Sequence, residues 1–482
     1  MKLLILIILI FVFNIKNVLS DSLYDALKVT YKNNKELNAE RENVNIAEED
    51  LKISKGNYLP TGTITGSKSQ QDTNKLTNQG GGDATINDVN PLNTTIKLEQ
   101  TLIDFGRNAE LKKSQLGLNL SKEKLKKKEQ EIFYKAIEAH SNLVASIEKI
   151  EINDKNLNLL IRQVENDKTR LEIGQITLSD LSQSESSLAG AEAKNIKAIN
   201  DLTTSKLNYE NIIGKIDNMD NLVKSLNPIS PLPKSLNEAI ELSNNNNPDV
   251  IIAKIEYDQS VKDLKISKSD LAPTATLSIE RSNTEDLSST VDEKEQDTIK
   301  ATVTWPFFSG GKNLAKVNKN QSEKLRKKLL LDNQIKSSET NIASAWSNYQ
   351  TSESILASIR AQVKAAEIAN EGITEEYQRG SRSTLDFIQS TAILLDARIS
   401  LANSERDFII AQYNLFMIDG HLLRGTGNKE KLWEQIPRKH LLETASLYFN
   451  GVERVQLKDY NYWHYVYPFQ NYNPDIEVLR FQ

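Results

Sequence analysis

The amino-acid sequence predicts a mainly helical protein that also carries a few β-strands of membrane type, built by tandem duplication. Three observations lead to this prediction. The chain of 482 residues repeats itself in order, two very long segments contain neither proline nor glycine, and four short segments alternate apolar and polar residues. The fold class is indicated by three things together: the internal repeat, the positions of proline and glycine, and the period of the hydrophobic residues.

The first twenty residues have the character of an export signal. Lys2 precedes an unbroken apolar run over residues 3–13, and Val18 and Ser20 suit a signal peptidase. As a helix, this run rises only about 16 Å, short of the roughly 30 Å hydrocarbon core of a bilayer. We therefore expect residues 1–20 to be a signal peptide that directs the protein out of the cytoplasm. The alternative is an N-terminal membrane anchor.

Two copies of one unit are predicted at 21–227 and 228–424. Residues 22–27 return in similar form as 235–240, 213 residues later. Further along, matches such as Gly174 with Gly380 and Asp180 with Asp386 are 206 residues apart. An ordered series of matches with one small change of spacing indicates a tandem duplication. Residues 425–482 follow as a tail rich in aromatic residues, and the sequence does not indicate its role.

Each copy contains a very long segment that is predicted to be helical. Residues 118–173 and 312–371 contain neither proline nor glycine, and strong helix formers dominate them. Each segment is predicted as one long helix, a break near Gly174 or Gly380, and a second helix. The helix over 106–173 would be about 100 Å long at 1.5 Å per residue.

The apolar spacing of the first long segment indicates how it packs. Apolar residues recur every seven positions, and an earlier register is displaced from the later one by four residues. A seven-residue seam with a four-residue insertion is typical of coiled-coil packing whose supercoil locally relaxes. The main register consists of Ala136, Leu143, Ile150, Leu157, Val164 and Leu171.

Ahead of each long helix, a pair of strands flanks a polar loop. The predicted strands are 61–67 with 94–102, and 274–280 with 298–305, the second pair enclosing an acidic loop. Their alternation suits a barrel strand with lipid on one side and water on the other. Four strands cannot close a barrel, because small barrels need about eight. If these strands span a membrane, several subunits must contribute to one barrel.

Composition excludes most enzyme classes and several kinds of partner. The chain has no cysteine, and its four histidines lack metal-ligand spacing. It contains no nucleophile elbow, phosphate-binding loop or His-Glu-x-x-His motif. With 60 basic and 65 acidic residues, it lacks the basic excess of a nucleic-acid binder. We therefore predict a non-enzymatic protein without a cofactor or metal site and without a nucleic-acid partner.

Several motifs resemble those of the TolC family of outer-membrane efflux channels, over roughly residues 21–424. In chain order they are YLP at 58–60, QTLIDFGR at 100–107, WPFFSGG at 305–311 and YQRGSRSTLD at 377–386. The resemblance implies a homotrimer in which each subunit gives four strands to a twelve-stranded β-barrel. It also implies a twelve-helix α-barrel that crosses the periplasm of a Gram-negative bacterium and closes at its inner tip.

The same resemblance implies the function and the partners. The protein would be the outer-membrane exit duct of a tripartite efflux pump or a type I secretion system. Its surroundings would be outer-membrane lipid, and its partners a periplasmic adaptor protein and an inner-membrane transporter that supplies the energy. The sequence does not indicate the cargo.

The resemblance also assigns roles to residues around the two helix breaks. Asp386 would place a carboxylate ring in the pore, and Gln389 stands where many relatives carry a second acid. Arg382, Tyr377 and Asp180 would form the links that hold the tip shut. The turns at Ile173 and Gly174, and at Arg379 and Gly380, would be docking sites for the adaptor.

Each of these residues also has a plainer interpretation. Asp180 and Asp386 stand three residues after a hydroxyl residue, the spacing of a helix-capping box. Arg382 and Asp386 are four residues apart, which allows an ordinary intrahelical pair worth about 0.2–0.5 kcal/mol. Gly174 and Gly380 could simply supply a positive φ at a tight turn.

Two other functions are compatible with parts of the sequence. An exported coiled-coil scaffold or adhesin would explain the seven-residue period but not the four alternating strands. A periplasmic adaptor would normally carry one helical hairpin rather than two in tandem. The channel is the interpretation that uses every predicted element.

Overall fold

The structure is a computed structural model, and it describes residues 23–72, 89–216, 219, 222–224, 226, 232–288, 291–418 and 420. The predicted signal peptide at 1–20 and the aromatic tail at 425–482 lie outside the described residues.

In the part of the chain that the structure describes, six elements occur in the same order in each half: two helices, two strands and two helices. The first half contains α1 (Leu23–Asn33), α2 (Lys35–Gly56), β1 (Thr61–Lys68), β2 (Leu92–Ile103), α3 (Arg107–Glu172) and α4 (Leu178–Ile212). The second half contains α5 (Leu236–Asn246), α6 (Pro248–Ser269), β3 (Thr274–Ser288), β4 (Val291–Thr304), α7 (Lys312–Gln378) and α8 (Thr384–Ile418).

The long helices α3 and α7 are continuous over 66 and 67 residues. Each rises about 100 Å, as the absence of proline predicts. Their length lets each pack against shorter helices placed one after another: α2 and α4 lie along α3, and α6 and α8 lie along α7. The halves meet where α3 packs against α6 and α8.

The four strands form one antiparallel sheet in the order β1-β2-β3-β4. Its register places apolar residues of neighbouring strands side by side, as in the row Leu98, Ile279 and Ile299. These residues and others in the same alternation form the apolar face of the sheet. The intervening residues, such as Lys97 and Glu280, form the polar face. The predicted alternation is therefore present across strands as well as along them.

The second strand pair is longer than the sequence analysis predicts. Residues 281–297, predicted as part of an acidic loop, are mostly strand up to Ser288 and again from Val291. Polar side chains pair across this extension, since Arg281 Nη2 lies 3.2 Å from Glu295 Oε2. The prediction of a loop was wrong here because it relied on apolar residues, whereas the backbone ladder and cross-strand pairs hold this hairpin.

The main hydrophobic core lies where α1 docks onto α3 and the ends of α4 and α8. Phe133, Ala136, Ile137 and Leu143 of α3 are almost completely buried there. This is the segment in which the four-residue displacement of the apolar register was predicted. From the other helices the core receives Leu23, Ala26, Leu27, Tyr31, Leu37, Tyr209, Ile409, Tyr413 and Phe416.

His140 of α3 belongs to the packed interior. Its Nε2 atom lies 3.3 Å from the carbonyl oxygen of Val223 in the linker between the two halves. Burial lowers the pKa of His140, so the ring is neutral at pH 7 and donates a hydrogen bond to that carbonyl. The structure therefore supports the interpretation of His140 as a packed side chain.

The same linker carries an ionic cluster that joins three helices. Lys224 Nζ lies 2.8 and 2.7 Å from the two carboxylate oxygens of Glu148 on α3, and it also pairs with Glu405 on α8. Arg360 of α7 reaches Glu405 at 3.1 Å. Burial raises the pKa of Glu405, but the hydrogen bonds from Lys224 and Arg360 outweigh this effect and hold the pKa below its usual value. We call these four residues the Lys224 clamp.

The end of α8 contacts the start of α6 very closely. Asn247, which caps α6, donates from Nδ2 to the carbonyl of Ile418 at 2.9 Å. Gly420 follows with a φ of 81°. A Cβ atom at this position would lie 2.4 Å from the carbonyl oxygen of Asn246. Only glycine satisfies both conditions at this point of the chain.

Candidate functional site

The two predicted helix breaks are tight turns at the end of each long helix. α3 ends at Glu172 and α7 at Gln378, and Gly174 and Gly380 follow with φ of 69° and 77°. Both glycines satisfy the plain interpretation, because this conformation is unfavourable for other residues. A Cβ atom at either position would meet no atom within 4 Å, and Ile173 and Arg379 are exposed. The turns are therefore open surfaces. Their use for docking stays a prediction.

Asp180 and Asp386 both form capping boxes at the start of the helix that follows each turn. The backbone N–H of Asp386 donates to Ser383 Oγ at 3.1 Å, and that of Ser383 donates to Asp386 Oδ2 at 3.3 Å. Thr177 and Asp180 repeat this arrangement in the first half. The hydrogen bond from the Ser383 hydroxyl lowers the pKa of Asp386, and the backbone hydrogen bond from Thr177 lowers that of Asp180. Both carboxylates are therefore ionised at pH 7.

Arg382 forms an ion pair within its own hairpin. Its Nε atom lies 2.5 Å from Glu376 Oε2 on α7. An intrahelical pair with Asp386 is absent, which corrects that interpretation. The reason is that Arg382 lies in the turn before α8 begins at Thr384, so the two residues do not share a helix face. Within the described residues of the single chain, the ion pair of Arg382 and the hydrogen bonds of Asp180 stay inside their own hairpins. Their role as links between hairpins stays a prediction.

Tyr377 does connect the two hairpins, through a partner that the sequence analysis did not identify. Its ring stacks on Phe387 of α8 with centroids 5.0 Å apart, so it belongs to the second hairpin. Its hydroxyl donates to Asp167 Oδ1 of α3 at 2.9 Å. Asp167 has 0% exposure to solvent. Burial raises the pKa of Tyr377, so the hydroxyl keeps its proton and can donate it.

Other donors complete this buried group. Gln163 Nε2 lies 2.6 Å from the Tyr377 hydroxyl oxygen and 2.9 Å from Asp167 Oδ2. Arg170 Nη1 donates to the same hydroxyl oxygen at 2.6 Å, and Ser184 of α4 donates to Asp167 Oδ2 at 2.6 Å. We call these five residues the Asp167 hub.

Sequence reasoning missed Asp167 although a signal was available. Asp167 follows Val164 by three residues and precedes Leu171 by four, so it occupies an apolar position of the seven-residue seam. A carboxylate at such a position needs buried hydrogen-bond donors. One of those donors, Tyr377, is 210 residues away in the chain, and no local pattern reveals that contact.

The opposite ends of the long helices adjoin the sheet, where large apolar side chains are exposed. Trp305, Phe307 and Phe308 follow β4, and Phe105 follows β2. Aromatic residues at the border of an apolar strand face are typical of the interface between membrane and water. No helix within the described ranges is both long and apolar enough to cross a membrane. Among the same residues, no group of His, Cys, Asp or Glu could hold a metal ion.

A membrane-type sheet joined to paired 100 Å helices defines a class of protein, the outer-membrane channels with a long helical extension. The family model for outer membrane efflux proteins matches residues 26–215 and 239–421. The chain belongs to this family. The two matched segments lie one in each half of the duplication.

Individual relatives agree with this assignment. The outer membrane efflux protein BepC of Brucella suis is 27% identical over 84% of this chain and 86% of its own length. The protease secretion protein PrtF of Dickeya chrysanthemi is 20% identical over 83% of this chain and 88% of its own. The crystal structure of the outer membrane channel CmeC of Campylobacter jejuni superposes with a TM-score of 0.71 at 15% identity, covering 86% of this chain and 88% of that one.

These findings confirm the predicted fold class, the outer-membrane location and the absence of an enzymatic role. The protein is a channel of the Gram-negative outer membrane with a helical part that extends into the periplasm. The comparisons give no support to the scaffold or adhesin.

Proposed function

We propose that this protein is the passive exit duct of a tripartite efflux pump or type I secretion system and works as a homotrimer with a gated inner tip. The observation that carries the proposal is the pair of incomplete edges of the single chain. Among the residues that the structure describes, strands β1 and β4 each pair on one side only. Paired with copies of the same chain, three four-stranded sheets would close a barrel of twelve strands.

The helical part has matching edges. Helices α3 and α8 pack against each other, and α4 and α7 lie outside them. Both outer helices carry large exposed apolar residues, including Ile196 and Leu207 on α4 and Ile355 and Ile368 on α7. Exposed apolar residues on opposite flanks suit a ring in which α7 of one copy meets α4 of the next.

In such a trimer the channel itself supplies no energy. A periplasmic adaptor would bind the open turns at Ile173, Gly174, Arg379 and Gly380, and an inner-membrane transporter would drive the cargo. Relatives named for efflux and for protease secretion support both kinds of system, so the cargo class is left open.

The proposal is tested by reconstituting the purified mature protein in a planar bilayer. The expected result is a small, stable single-channel conductance from trimers that resist dissociation in SDS. Correctly folded trimers without any conductance would contradict the duct and return the scaffold to consideration.

Replacement of Arg382 tests the gate. We expect Arg382→Ser to increase single-channel conductance several-fold, because it removes the cation that anchors the second turn and that could bridge to a neighbouring copy. Glu376, its partner within the chain, provides the control. If Glu376→Gln raises conductance as much as Arg382→Ser, the effect comes from the local pair and not from a link across hairpins.

Replacement of Asp386 tests the pore. Three copies of an ionised carboxylate would form a ring that favours cations, with neutral Gln389 in place of a second ring. Asp386→Asn should therefore lower the cation-to-anion permeability ratio, measured as a reversal potential in a salt gradient. Asp180→Asn, which alters the same capping box in the first half, is the matched control. Identical reversal potentials for wild type and Asp386→Asn would remove Asp386 from the pore.

A further inference from the structure

We infer that the Asp167 hub is the lock that holds the two hairpins of one subunit together at the closed tip, with Asp167 as its positioning residue. This inference rests on the proposed gated duct. It assigns to Asp167 the contact with Tyr377 that the sequence motif alone would assign to Asp180.

The hub joins the hairpins through one hydroxyl group. The ring of Tyr377 is packed within the second hairpin against Phe387 and Ile388. Its oxygen takes part in three hydrogen bonds of 2.6–2.9 Å with residues of α3, and it also interacts with the Thr384 hydroxyl of its own hairpin. The ring packs in the second hairpin while the hydroxyl reaches the first, so parting the hairpins must break all three bonds with α3.

The burial of Asp167 makes this contact cooperative. The carboxylate accepts from Tyr377, Ser184 and Gln163, and solvent does not reach it. A buried carboxylate that loses a donor must find another or admit water. Departure of Tyr377 therefore requires water to enter the hub. The hub then has a closed state and an opened state, and arrangements intermediate between the two are unstable.

Comparison of the two halves distinguishes this contact between hairpins from ordinary packing within one hairpin. Ser184 in the first half corresponds to Ser390 in the second, 206 residues later. Ser390 accepts from Asn370 at 2.7 Å within its own hairpin. In both halves this serine is hydrogen-bonded to the preceding helix. In the first half its partner is the carboxylate of Asp167, which also accepts a hydrogen bond from Tyr377 of the other half.

Asp180 is placed differently from Asp167. It is partly exposed, and its Oδ2 atom accepts from both the backbone N–H and the hydroxyl of Thr177, at 2.9 and 2.7 Å. Its carboxylate is engaged in the helix cap. Asp167 and Asp180 therefore form a matched pair of acids near the same turn, with only the first in the hub.

The test measures single-channel conductance of full-length mature trimers carrying Tyr377→Phe, Asp167→Asn or Asp180→Asn. Tyr377→Phe removes only the hydroxyl group and keeps the stacked ring. We expect Tyr377→Phe and Asp167→Asn each to raise conductance several-fold, the double variant to add little beyond either, and Asp180→Asn to raise it less than Asp167→Asn does. A purely structural role would change thermal stability without this pattern of conductance.

The outcomes separate this inference from the duct itself. Suppose that the wild-type protein conducts, that Tyr377→Phe and Asp167→Asn conduct equally well, and that Arg382→Ser conducts more. This result would overturn the hub as the lock and keep the gated duct. A larger increase in Asp180→Asn than in Asp167→Asn would also overturn it. Absence of conductance from every folded trimer would contradict the proposed function instead. If Asp167→Asn does not assemble, Tyr377→Phe alone decides.

Discussion

Ile299→Lys is expected to abolish assembly in the outer membrane, whereas Thr298→Lys one residue earlier is tolerated. Ile299 lies on the apolar face of the sheet beside Ile279 and is 76% exposed in the single chain. A lysine facing lipid costs up to about 4 kcal/mol, depending on its depth in the membrane. In the proposed trimer this cost would occur three times.

The neighbouring position is a strict control because the strand turns its side chains to alternate faces. Thr298 pairs with Glu280 on the polar face, so a lysine there gains an acidic neighbour. Membrane fractionation and electrophoresis of unheated trimers measure both variants. Equal behaviour of the two lysines would show that the assignment of faces is incorrect.

Gly420→Ala is expected to destabilise the protein by about 2–4 kcal/mol, combining overpacking with an unfavourable backbone conformation. The added methyl group would lie 2.4 Å from the carbonyl oxygen of Asn246, and backbone atoms cannot rotate away. The residue also has a φ of 81°. Thermal unfolding followed by circular dichroism measures the effect.

Gly190→Ala serves as the comparison for Gly420→Ala. Gly190 lies inside α4, and a Cβ atom there would meet no atom within 4 Å. Alanine in a helix interior is favoured over glycine by about 1 kcal/mol. This variant should therefore be slightly more stable than wild type. An unchanged stability of Gly420→Ala, beside a more stable Gly190→Ala, would contradict the close contact at position 420.

Much of the fold was predictable because it depends on local rules. The absence of proline and glycine predicts helices as long as α3 and α7, and the glycines at 174 and 380 predict where they end. The extension of β3 and β4 beyond residue 280 was not predictable from apolar alternation, since Arg281 and Glu295 are held by pairing across strands.

The candidate site divides in the same way. The capping boxes at Asp180 and Asp386 follow from spacing along the chain, and the structure contains both. The contact of Tyr377 with Asp167 depends on how α7 lies against α3, which only the packed fold determines. A polar residue in a coiled-coil seam is therefore a useful sign of a buried contact, but it does not name the partner.

The Lys224 clamp lies far from the turns, so the helical segment between clamp and turn acts as a lever arm. Glu148 lies 24 residues before the end of α3 at Glu172, so the arm from clamp to turn is about 36 Å. Rotation by about 2° at the clamp moves Asp167, which lies closer to the clamp than the turn does, by about 1 Å. This is enough to stretch the hydrogen bonds of 2.6–2.9 Å to Tyr377 beyond their range. In the proposed duct, the bending stiffness where three helices meet at the Lys224 clamp, as much as the bonds at the tip, would set how small a torque opens the channel.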